Sequence, residues 1–119
     1  MTKDAFILLL EARKVALETA SKMVELGFDI ESSLCKQIFS IMEGIERTIE
    51  KDMNIKPWDD GSHCGRGMNS LGWALECLDD GRAANYSVID KENTLDKSVE
   101  RQIQNFSQLY DLLVEEQED

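Results

Sequence analysis

One proline, one histidine and three cysteines in 119 residues leave little material for several common chemistries. Cys35, Cys64 and Cys77 are odd in number and have no Cys-x-x-Cys spacing, which argues against both a disulfide framework and a zinc ribbon. Reduced thiols in a cytoplasmic setting fit that usage. With no second histidine, Cys64 has no base elsewhere in the chain, and its neighbour His63 is adjacent in sequence, where side chains diverge. Long apolar runs are missing too. No stretch approaches the roughly 18 uncharged residues that a spanning helix needs, so no membrane contact is expected. The run Ala5 to Leu10 is short, preceded by Asp4 and followed by Glu11, Arg13 and Lys14, which is unlike a secretory signal. There is no Gly-x-x-x-x-Gly-Lys-Ser/Thr loop and no nucleophile-elbow serine, so phosphate-cradling and acyl-transfer chemistries find no support.

What the chain has in excess is acid. Twenty-four Asp and Glu against thirteen Lys and Arg give a formal charge of −11. The excess is greater in the second half. Met1–Asp60 holds eight basic and twelve acidic residues, and Gly61–Asp119 holds five and twelve. Direct nucleic-acid binding would meet repulsion in place of the counterion release that Lys and Arg provide. A basic protein partner is the expected complement, since opposite potentials speed encounter.

At 42% apolar and 31% charged, the composition is that of a globular protein, and the length predicts a single domain over 1–119. Apolar residues recur at helical steps. Phe6, Leu9, Ala12, Ala16, Ala20 and Met23 predict a helix from Thr2 to Leu26, stopped by Gly27, with Asp29 capping the next. Leu34, Ile38, Ile41, Ile45 and Ile49, widened by Phe39 and Met42, predict a second from Ile30 to about Met53. Pro57, Trp58, Asp59, Asp60, Gly61 and Ser62 carry turn chemistry, which predicts an irregular loop at 55–67. A short helix follows over Met68 to Asp79, then an extended piece over Ala84 to Ile89. A last helix is expected from Thr94, with Val99, Ile103, Phe106, Tyr110 and Leu113 inward and a fraying acidic tail at 115–119. The fold class expected is all-α: a small antiparallel helical bundle of three long helices plus one short helix.

These features predict a protein-binding module, of the kind an inhibitor, immunity or antitoxin-like protein would be, with no cofactor. Trp58, Asp59, Asp60, Glu76, Asp79 and Asp80 are the expected partner contacts, the tryptophan as anchor and the carboxylates as charge. A structural homodimer through the first helix is the second expectation. The apolar run Phe6 to Leu10 surrounds more of that helix than one stripe requires, leaving Ile7 or Leu10 for another subunit.

Two carboxylate pairs raise an enzymatic alternative. Glu43 and Glu46 share one helix face, as do Glu76 and Asp79. The spacing resembles the Glu-x-x-Glu and Glu-x-x-Asp pattern of all-α nucleoside triphosphate pyrophosphatases. That resemblance implies Mg²⁺ held by these four residues against a diphosphate. It covers only them, and the chain departs from the family in the Pro and Gly turn between the pairs and in lacking a nearby Lys or Arg cluster.

Overall fold

The computed structural model describes residues 1–55, 69–88 and 99–117. Among them are four helices and one two-stranded sheet, so the protein is mostly helical. The residues group into two compact units, Met1–Asn54 and Ile55–Asp119.

The first unit is a helical hairpin. Helix α1 spans Lys3–Glu25 and opens on Thr2, whose hydroxyl accepts the Ala5 N–H at 3.2 Å, with Asp4 favourably placed at the positive end of the helix dipole. It closes as expected at Gly27. A φ of +98° there lets the Phe28 N–H reach the Met23 carbonyl and the Gly27 N–H reach the Val24 carbonyl, each at 3.0 Å. Asp29 is not the next cap. Its carboxylate accepts the Glu31 N–H at 2.9 Å inside the turn, and Ser32, extended at ψ 152°, accepts the Cys35 N–H instead. Helix α2 therefore spans Ser33–Asp52 and starts three residues later than Ile30.

The helices run antiparallel, with the Met1 ammonium against the Asp52 carboxylate and Arg13 Nε 3.5 Å from a Glu46 oxygen. Phe6, Leu10, Arg13 and Ala20 are buried on α1, and Cys35, Met42 and Ile49 on α2. The expected stripes are thereby corrected. Phe6, Ala20, Met42 and Ile49 are in the core, Leu9, Ala16, Met23, Ile38 and Ile45 are half-buried, and Ala12, Leu34 and Ile41 are exposed. A two-helix hairpin can bury only one seam, and the seam chosen lies one residue further along each helix.

In the second unit, α3 spans Ser70–Asp79, capped by the Asn69 side chain, which accepts the Gly72 N–H at 2.8 Å. Gly81, at φ +73°, ends it by the same device as Gly27, with the Arg82 N–H on the Cys77 carbonyl at 2.9 Å. Strand β1, Ala84–Val88, pairs antiparallel with β2, Val99–Ile103, placing Ala84 opposite Ile103 and Val88 opposite Val99. This corrects the expectation that Val99 and Ile103 belong to the last helix, and the strand pair departs from an all-α chain. Pairing with β1 hydrogen-bonds one edge of 99–103, and it buries Ile103 beside Ala84 and Tyr86, outweighing helical spacing to Phe106. Helix α4, Phe106–Gln117, starts after Asn105, whose side chain accepts the Gln108 N–H at 2.9 Å. Only α1 and α2 are long, at 23 and 20 residues; α3 has 10 and α4 has 12.

Helix α3 packs on α4 and β1, and α4 on β2. Leu71, Ala74, Leu75 and Cys77 on α3 and Leu109, Leu112 and Leu113 on α4 are buried in this unit's core.

Candidate functional site

Of the expected partner contacts, Trp58, Asp59 and Asp60 lie outside the described residues, as do His63 and Cys64. Glu76, Asp79 and Asp80 are exposed together at the C-terminal end of α3. That end already carries the negative pole of the helix dipole, and its last turn has no Lys or Arg. Arg82 offsets part of the charge, its guanidinium 3.1 Å from the Asp80 carboxylate. The arrangement presents carboxylates to solvent where the backbone adds to their potential, and it suits contact with a cation.

Two of the four carboxylates of the enzymatic alternative, those of α2, are already engaged. Arg47 pairs with Glu43 one turn along α2, and Glu46 turns inward toward Arg13. Both α2 carboxylates thus already face guanidinium groups, which compete with any metal. Among the described residues, no three His, Cys, Asp or Glu side chains cluster to hold a metal ion. Glu43 and Glu46 belong to the first unit, Glu76 and Asp79 to the second.

A second surface is apolar. Every large hydrophobic side chain left exposed among the described residues lies between Leu8 and Ile41. Ala5, Leu9, Ala12, Ala16, Thr19, Met23 and Leu26 step by four and three along α1 and its C-cap; Leu34, Ile38, Ile41, Ile45 and Thr48 do the same along α2. None of these positions is buried and none carries a charge. Leu26 is 70% exposed, Ile41 57% and Leu34 50%. An open groove along α1 is lined by Val15, Thr19, Met23 and Leu26, with the charged Glu18 and Lys22 along its edge.

Geometry joins the two stripes. Each lies one residue before the buried seam of its helix, a turn of roughly 100° in the same sense about the chain direction. In antiparallel helices, equal turns of that kind carry both stripes to the same side of the hairpin. The charged residues Lys14, Glu18, Glu25, Lys36, Glu43 and Glu50 fall on the other side by the same count. Leu10, expected at a subunit contact, is fully buried in the hairpin instead.

The second unit also holds a partly buried polar chain. The Tyr86 hydroxyl donates to the Ser70 carbonyl at 2.6 Å, and the Ser70 hydroxyl donates to Glu116 at 2.5 Å. Burial pushes the Tyr86 phenol well above its ordinary range, with the Glu116 carboxylate adding to the effect. Loss of water around the Glu116 carboxyl raises it in turn, although the residue as a whole is exposed. This chain ties β1 and α4 to the start of α3.

No protein-family model, curated protein or solved structure matches the chain. Among the described residues, no helix is long and apolar enough to cross a membrane.

The sequence gives no sign of Arg13 as the charged member of the hairpin core, and Leu34 and Ile41, expected in the core stripe of α2, are exposed. The signal for these two was there. Two heptad-spaced seams, offset by one residue, run through both helices, which is one more than a hairpin needs.

Proposed function

We propose that this chain is a protein-binding module that associates through the apolar side of its helical hairpin and offers the acidic end of α3 to a basic partner. The observation that carries the reading is the pair of uncharged stripes on one side of the hairpin, where Leu26, Leu34 and Ile41 are exposed. Scattered apolar residues are ordinary on a surface, whereas a contiguous patch marks a contact. Charge supplies the sign of the partner. With Glu76, Asp79 and Asp80 exposed on a chain of net −11, a cationic protein gains from long-range attraction, as small inhibitor, immunity or antitoxin-like proteins do with their effectors.

The test is an affinity capture of basic proteins from the native cell at several salt concentrations. Capture should weaken as salt rises, and the double substitution Asp79→Lys with Asp80→Lys should weaken it further and flatten the salt dependence. Equal capture by both chains would remove the acidic end of α3 from the contact. Binding of an apolar dye to the folded protein, or loss of association on Ile41→Glu, would support the hairpin side.

A further inference from the structure

The apolar side of the hairpin has the composition of half a four-helix bundle. From Ala5 to Leu26 the outer stripe of α1 is dominated by small residues, with Ala5, Ala12, Ala16 and Thr19 at four of its seven positions. The corresponding stripe of α2 is bulky, with Leu34, Ile38, Ile41 and Ile45 before Thr48. Small faces fit against large ones. Resting on the association reading above, we infer that a second copy of this chain covers this side, α1 of each copy lying against α2 of the other.

Three features select that occupant. The spacing of four and three on both helices is that of knobs-into-holes packing between helices about 20° from antiparallel. A two-fold axis along the helices sets each small stripe opposite a bulky one and makes every neighbouring pair antiparallel. The alternative two-fold, across the helices, sets alanines on alanines and isoleucines on isoleucines. Charge points the same way. Two chains of −11 repel one another, and the uncharged stripes from Ala5 to Leu26 and from Leu34 to Thr48 are where such copies can meet without opposing carboxylates. A dissimilar partner of basic character would be served by an acidic rim here, whereas of the α2 acids Glu43 and Glu50 lie on the opposite side, Glu46 faces Arg13, and Asp52, at the end of this side, is already paired with the Met1 ammonium.

The decisive experiment is sedimentation or light scattering of the full chain across concentration, beside binding of an apolar dye. The expected result is twice the 13.5 kDa protomer mass, little dye binding, and dissociation to monomer by Leu34→Glu or Ile41→Glu with helical content retained. Both side chains are exposed within one chain, so these substitutions leave the hairpin core intact. Mixing an Ala16→Cys chain with an Ile41→Cys chain, both lacking Cys64, should give more linked heterodimer than either gives with itself. A monomer that binds dye would overturn the second copy as occupant and leave the association reading standing. A monomer that binds none would overturn both. A dimer that survives both glutamate substitutions, or self-linking of Ala16→Cys, would overturn the arrangement.

Discussion

Arg13 and Glu46 face each other across the two helices of the hairpin, 3.5 Å apart, the arginine side chain 8% exposed and the glutamate 29%. A guanidinium taken from water is expensive and is offset here by a partner that keeps part of its hydration. Removing the partner should therefore hurt more than removing the arginine. Glu46→Gln is expected to cost about 1–2 kcal/mol, below the ~3–5 kcal/mol of a fully buried pair because Glu46 stays wet. Arg13→Met, which fills the seam with an apolar chain, should cost less or stabilise. Denaturant unfolding of the two variants checks the order, and equal losses would contradict it.

Tyr86 should be worth its hydroxyl. Its bond to the Ser70 carbonyl is buried, so Tyr86→Phe leaves that oxygen with one partner fewer and should cost about 1 kcal/mol. Combined with Ser70→Ala, the loss should differ from the sum of the single losses, since the two residues share one chain of bonds. A double-mutant cycle measures the coupling.

Glu115 and Glu116 are neighbours with opposite pH behaviour. Arg101, hydrogen-bonded and ion-paired to Glu115 at 2.7 Å, holds that carboxyl below its ordinary range, so its contribution is present above that range and is lost as pH falls through the lowered value. Glu116 is raised by burial, so the folded state holds its proton more tightly than the unfolded state. Stability from this group falls as pH rises from the ordinary carboxyl range through the raised value. Glu116→Gln should thus gain on the parent chain as pH rises, and Glu115→Gln should lose on it. Thermal melts from acid to neutral pH separate the two signs.

Gly44 lies in the middle of α2 with nothing within 4 Å of where a Cβ would stand. Gly44→Ala should stabilise the chain by about 1 kcal/mol through helix propensity and a less flexible unfolded state. A fall in melting temperature would mean that another surface occupies the space.

Local rules read the hairpin well. Thr2 and Gly27 bound α1 as their chemistry dictates, because caps and left-handed glycines act over three or four residues. What escaped was the choice between two adjacent seams. Leu34 and Ile41 fit a core stripe as well as Cys35 and Met42 do, and only pairing with α1, with Arg13 inside, decides which is buried. The strand at Val99–Ile103 was hidden for a similar reason: its partner β1 lies more than ten residues away, beyond any local periodicity. For the candidate site, Glu76, Asp79 and Asp80 are exposed, while Glu43 and Glu46 are turned to arginines that spacing alone does not reveal.

The Arg101 contact has a further consequence for α4. That helix ends in acids, with no base in its own last turn, and the counter-charge reaches it from the sheet. Its closing turn is therefore fastened by a surface ion pair, which added electrolyte screens. Backbone amides near Glu115 should exchange with solvent faster as ionic strength climbs, while those around Leu109 and Leu112 hold their rates.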